Sequence, residues 1–168
     1  MAASIRKAAS VDAEAIFSVH QASVRTLCAA AYSREHIESW FEDRTSEIYA
    51  PALAAGYIWV VEQDGQIVGF VGAEPGEVTL LFVHPQVSGQ GIGRQLFEFG
   101  ASLAAASSEQ PLTVVATKNS ESFYATFGFV RVEKQAFVRG AQGLRYEVVK
   151  MQRHTVAHAH NAHVAADA

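Results

Sequence analysis

Gly89, Gly91 and Gly93 alternate between an apolar run, residues 78–83, and a segment of helical periodicity. Glycine lets a backbone come close to a ligand, and the free N–H groups at a helix start attract anions. The ligand expected at such a loop is a phosphate or pyrophosphate; a plain chain reversal has the same glycine content. Two nucleotide motifs do not fit. No Lys-Ser or Lys-Thr follows the glycines, as a Walker loop needs. Leu96 stands where a dinucleotide fingerprint would carry its last glycine, and no acidic residue ends the next apolar run, residues 112–116. Cys28 lies in an apolar stripe with no identifiable base and reads as a small buried hydrophobe. His154, His158, His160 and His163 have spacings that would suit a divalent ion on a helix, or else belong to a solvated accessory segment.

The hydrophobic pattern supplies the elements around the loop. Residues 4–8 form a candidate strand, and Ser10, followed by Asp12 and Glu14, marks a helix start. Ile16, Val19, Val24 and Leu27 give that helix an apolar stripe to about residue 30. A second helix is expected from Ser33, with Ile37, Trp40 and Phe41 on one face. Residues 57–62 and 67–73 are β-branched and aromatic, and Gln63-Asp64-Gly65-Gln66 between them is a hairpin signal. Residues 74–77 turn the chain again into a third strand at 78–83. Beyond the glycines, Ile92, Leu96, Phe99 and Leu103 keep helical spacing to about residue 107. A strand at 112–116, a short helix at 119–127 stopped by Gly128, and strands at 129–137 and 144–151 follow. The expected fold is α/β with a mixed (α+β) sheet: an antiparallel meander, then one central βαβ crossover carrying the glycine loop.

Composition narrows the function classes. The chain has 168 residues, 49% hydrophobic and 18% charged, which suits one packed domain and excludes a disordered polyelectrolyte. Thirteen basic and seventeen acidic residues give a net charge of −4 without any Lys/Arg run, which argues against nucleic acid or a membrane surface as partner. The uncharged residues 48–61 are interrupted by Pro51 and Gly56, and acidic residues soon follow Arg6 and Lys7. Neither stretch reads as a membrane span or secretory segment. With one cysteine there is no intrachain disulfide. A cytoplasmic protein is expected, with a domain over residues 1–152 and a flexible histidine- and alanine-rich tail over residues 153–168.

Ser88-Gly89-Gln90-Gly91-Ile92-Gly93 resembles the R/Q-x-x-G-x-G/A loop of the GNAT superfamily of N-acetyltransferases. Asn119 with Phe123-Tyr124 and Gly128-Phe129 resembles that family's second segment at the right separation. The resemblance covers roughly residues 4–152 and is closest to small bacterial-type members. It implies the GNAT acyltransferase fold and acetyl-coenzyme A as acyl donor. Gly89, Gln90, Gly91, Ile92, Gly93 and Arg94 would then hold the pyrophosphate, and Leu81, Phe82 and Val83 would line the pantetheine arm, with Asn119 beyond. Ser88 stands where Arg or Gln is usual, which should weaken affinity without removing the site. His84 before Pro85 is frequent in the family and structural.

By the same resemblance, Tyr124 is the acid that protonates the departing thiolate, or else one more aromatic beside Phe123 and Phe127. Glu77 matches the base of the histone-acetylating branch, or else is a solvated turn residue. Strand alternation would put Glu77 on the face of Thr79, Leu81 and Val83. The acceptor side would lie near Tyr32, His36 and Trp40, opposite residues 137–144, with core packing as the alternative for Trp40. The implied activity is transfer of an acetyl group to a primary amine by direct attack, on a small molecule or a protein. A catalytically silent acyl-coenzyme A module is the rival reading, and no resident metal is expected. A homodimer stays open.

Overall fold

A computed structural model of the protein describes residues 3–154. Seven strands form one mixed sheet in the order β1-β2-β3-β4-β5-β7-β6. They span Ser4–Lys7, Ile58–Gln63, Gln66–Glu74, Glu77–Val83, Leu112–Thr117, Val130–Arg139 and Leu144–Arg153. Five helices accompany them: α1 (Ala13–Leu27), α2 (Arg34–Ser39), α3 (Ala50–Ala54), α4 (Ile92–Ala106) and α5 (Glu121–Ala125). The meander and the central crossover are those the residue pattern implies. None of the described helices is long and apolar enough to cross a membrane.

The near-continuous apolar runs arise because the central strands are covered on both faces. Val61 and Val71 join Leu96, Phe97 and Leu112 in a core beneath α4 and α5. Their neighbours Val60 and Phe70 turn the other way, towards Ile16 and Val19 of α1 and Tyr49. Gly100 lets α4 lie close on β3, since a Cβ there would meet Val71 Cγ2 at 2.6 Å.

Two irregularities open the middle of the sheet. Gly72 pairs with Leu80 and Ala73 with Val78, so Thr79 is an extra, bulged residue in β4. A glycine opposite makes the bulge packable: a Cβ on Gly72 would stand 2.5 Å from Thr79 Oγ1. Strands β4 and β5 then pair in parallel only at Glu77↔Thr113 and Val78↔Val114. Beyond Val78 they separate into a V-shaped gap. His84 N donates to Val68 O of β3 at 2.7 Å. By alternation Phe82 also pairs toward β3, and Leu81 and Val83 turn their backbone groups into the gap.

The bulge corrects one expectation. Val78, Leu81 and Val83 all pack against the α4 core, whereas Leu80 packs on the α1 side. Glu77 therefore does not share a face with Leu81 and Val83, because the extra residue inverts the alternation. Ser10 is not the cap of α1 either. It begins a 3₁₀ turn, Ser10–Asp12, and the Asp12 carboxylate accepts from Ala9 N at 2.7 Å. Ser33 does cap α2, accepting from His36 N at 3.3 Å. The five-residue α3 was absent from the expected elements, since so short a helix shows no periodicity. Arg153 ends β7 and donates to Phe127 O at 3.0 Å, so the domain extends past residue 152. Most of the expected tail, residues 155–168, lies outside the described residues.

Asp12 also fastens β1 to the start of α1. Arg6 donates to both its oxygens, at 2.8 and 3.0 Å, and reaches Glu62 of β2 at 2.6 Å. The Arg6 hydrogen bonds hold the Asp12 carboxyl below its ordinary range. Asp12→Asn should cost about 1.5–3 kcal/mol at pH 7, the range for hydrogen bonds to charged groups. A depressed carboxyl stabilises the fold above its unfolded pKa of about 3.9 and loses that contribution as pH falls. The gap between wild type and variant in urea unfolding should therefore narrow towards pH 3 (approximately).

Candidate active site

The glycine loop presents an unpaired row of donors. A 3₁₀ turn, Pro85–Val87, leads out of β4, capped by His84, whose Nδ1 accepts from Gln86 N at 3.3 Å. This gives His84 the structural role expected. Gly91 then caps α4 with φ 84°, a left-handed conformation that favours glycine. The amides of Gly89, Gly91, Ile92, Gly93 and Arg94 donate to no acceptor among the described residues. Together with the dipole of a 15-residue helix they form an anion cradle. The Arg94 side chain turns aside, lying 4.7 Å from the Phe127 ring and 3.6 Å from Glu98, so its contribution to the cradle is its backbone.

From this cradle a cavity of about 390 Å³ runs into the gap between β4 and β5. Leu81, Phe82, Val83, Ser88, Gly93, Asn119 and Tyr124 of the expected site all line it. Gly89, Gln90, Gly91, Ile92 and Arg94 adjoin it through the loop. Tyr124 is buried against Phe97, Phe123 and Phe129. Its hydroxyl has no hydrogen-bond partner among the described residues, and burial raises its pKa, so the phenol stays protonated at neutral pH. Cys28 also lines the cavity. Burial pushes its thiol up to about 11, with a hydrogen bond from Asn119 opposing the rise, so it is not a thiolate nucleophile at neutral pH.

Glu77 does not line this cavity. It sits at the closed end of the V, where burial and the neighbouring Glu74 raise its pKa and Lys150 lowers it. Tyr32, His36 and Trp40 are also outside the cavity wall. They pack with Tyr146 and Phe137, with Trp40–Tyr146 centroids 5.0 Å apart. Tyr32 donates to Glu147 O at 2.9 Å and accepts from Lys118 N at 3.1 Å, so its hydroxyl ties β5 to β7. His36 Nε2 donates to Arg145 O at 3.1 Å. The hydrogen-bonding groups of Tyr32 and His36 are thus committed within the protein.

Residues 28–150 match the acetyltransferase (GNAT) domain. The chain belongs to that family. It is similar to the uncharacterized N-acetyltransferase YafP of Escherichia coli (strain K12), with 26% identity over 124 residues, 74% of this chain and 79% of that one. A GCN5-related N-acetyltransferase from Rhodopseudomonas palustris superposes with TM-score 0.81 at 25% identity, over 92% of this chain and 97% of that one. YncA of Salmonella typhimurium, solved with its cofactor acetyl-CoA, gives TM-score 0.67 at 22% identity, over 100% of this chain and 99% of that one.

Within the GNAT fold, several cavity residues escaped the sequence reading. Ser23 and Leu27 of α1 form one wall with Cys28, and Val115 and Thr117 of β5 form another. The signal for the first was present: His20 and Ser23 are polar residues at stripe positions of a helix whose buried face includes Ile16, Val19 and Val24. No such signal exists for Val115 and Thr117, which border the cavity where β5 is no longer paired with β4.

Proposed function

We propose that this GNAT protein transfers the acetyl group of acetyl-coenzyme A to a primary amine by direct attack. The separation of β4 from β5 carries the reading. It exposes the backbone of Leu81 and Val83 beside a cavity with free loop amides at one end and the Tyr124 hydroxyl in its wall. These groups match a long cosubstrate with a pyrophosphate and an amide-bearing arm, and the similar Salmonella protein holds acetyl-CoA. Bound there, the cosubstrate supplies an activated acetyl thioester.

Each group then has a distinct task. The amides of residues 89, 91, 92, 93 and 94 hold the pyrophosphate, and Gln90 shapes the loop. Leu81 and Val83 offer backbone partners to the arm; Phe82, Ser88 and Asn119 bound it. Tyr124 donates from its hydroxyl to sulfur as the thiolate leaves. Glu77 accepts the amine proton through water, because no carboxylate is among the cavity-lining residues. Tyr32, His36 and Trp40 frame the acceptor side by packing.

The test is release of coenzyme A from acetyl-coenzyme A with a panel of primary amines. A raised carboxyl is a better base near neutrality, and rate falls as pH drops through its pKa. Glu77→Gln should therefore lose the acidic limb of the pH–rate profile while keeping coenzyme A binding. Binding without turnover on any amine would favour a silent acyl-coenzyme A module instead.

A further inference from the structure

Among the described residues lining the cavity, two buried side chains carry a hydroxyl without a hydrogen-bond partner: Tyr124, 6% exposed, and Ser23, 4% exposed. Tyr124 has a task in the proposed transfer and Ser23 has none. A serine within a helix commonly bonds back to the carbonyl one turn earlier. Ser102 and Ser107 do so along α4, donating to Glu98 O at 2.9 Å and to Leu103 O at 3.1 Å. Ser23 makes no such bond. Its hydroxyl is not sealed in the core either: the polar side-chain atoms that lack both surface and partner are His20 Nε2 and Arg139 Nε. The Ser23 hydroxyl is turned to the cavity. The other hydroxyls there differ, since Thr117 and Ser120 bond one another at 2.9 Å, and Thr79 and Ser88 are exposed.

Ser23 and Tyr124 stand on opposite sides of the sheet. Leu81, Val83 and Tyr124 belong to the core under α4, whereas Leu80 and Phe82 pack with α1 and Phe82 also with Cys28. The cavity borders on both sets and so passes through the sheet at the gap. With the anion cradle at the start of α4, the acyl donor takes the α4 side, and α1 faces whatever meets the thioester from the other. That side offers Ser23, Leu27, Cys28, Leu80 and Phe82. None of the described residues lining the cavity carries a charge at neutral pH. An unpaired charge brought into such surroundings is costly, an ammonium included, so the cavity favours the neutral form of an amine. That is the form able to attack.

We infer that the acceptors are primary amines with an uncharged chain, and that the attacking nitrogen donates to Ser23 Oγ. The inference rests on the proposed transfer to an amine, and adds the acceptor's chemical class and the residue that aims it. With one N–H held by Ser23, the nitrogen lone pair is directed at the acetyl carbon. That lone pair forms the C–N bond, the C–S bond breaks, and sulfur takes the proton of Tyr124. The proton shed by nitrogen leaves through water to Glu77, and solvent returns one to Tyr124.

The experiment compares butylamine, 4-aminobutanoate and 1,4-diaminobutane, which share one chain and differ in the charge at its far end. Calorimetric titration of each into the coenzyme A-saturated protein runs alongside. Butylamine should exceed the other two in kcat/KM by about 10-fold or more, the scale of burying an uncompensated polar group. Ser23→Ala should lower kcat/KM for butylamine by about 3- to 10-fold, the worth of one neutral hydrogen bond. The KM for acetyl-coenzyme A and the thermal shift by coenzyme A should stay as in the wild type, which reports an intact fold and donor site. Ser102→Ala, which removes a back-bonded hydroxyl of α4, should change none of these constants. Ser23-dependent calorimetric binding of butylamine without acetyl transfer would uphold the amine site and reject the transfer reading. Equal or better use of the charged probes would overturn the inference and leave the transfer standing. So would a Ser23→Ala protein with unaltered butylamine constants, or one weakened towards acetyl-coenzyme A instead. Failure of all three probes to bind or react, beside normal coenzyme A binding, would also overturn it.

Discussion

Tyr124→Phe is expected to lower turnover by about 10²- to 10⁴-fold, the usual contribution of a positioned acid. The substitution removes one hydroxyl and keeps the ring among Phe97, Phe123 and Phe129. Because that hydroxyl has no internal partner, its loss leaves no buried donor or acceptor stranded, and unfolding stability should stay close to that of the wild type. Coenzyme A affinity should also be nearly unchanged, since the phosphates are held at the loop. Loss of kcat with preserved binding is the signature of a group acting only as the thiolate departs. Near-normal turnover, with the chemical step shown to limit the rate, would remove Tyr124 from the mechanism.

The second large effect falls on the cofactor. Saturation at about 100 times Kd should stabilise the wild type by about 2.7 kcal/mol. For a domain of this size that is roughly a 5–10 °C rise in Tm. Gly91→Val should abolish the rise. No atom lies within 4 Å of a Cβ built there, so the new side chain would meet no protein and would occupy the approach to the free amides. The left-handed φ adds strain of about 1–2 kcal/mol, which lowers the Tm of the ligand-free variant separately. A retained coenzyme A shift would place the pyrophosphate elsewhere.

Why some of this was legible in the residues and some was not has a physical basis. The glycine loop and the strand before it follow local rules: apolar run, positive-φ positions, helical spacing from Ile92. The phase of β4 does not. Thr79 is bulged because Gly72, on another strand, leaves space opposite it, so the face of Glu77 depended on a pairing that β4 alone could not reveal. Tyr32, His36 and Trp40 are close in the sequence, but their company in the fold includes Tyr146 and Glu147 from the far end of the chain. Those contacts commit the Tyr32 hydroxyl within the protein.

The divergence of β4 from β5 also gives the protein an edge in the interior of its sheet. A strand edge with unpaired N–H and C=O groups is a template for any extended chain, and proteins commonly guard such edges at the periphery. Here β1 and β6 are the outer edges, while Leu81 and Val83 form an inner one that no terminal charge or proline can shield. The shelter comes from the walls: α1 through Ser23 and Leu27, and α5 through Phe123 and Tyr124, leave a slot suited to a slender arm. A substitution that widened those walls would expose adhesive backbone. The same few side chains thus bound the cosubstrate slot and cover its backbone edge.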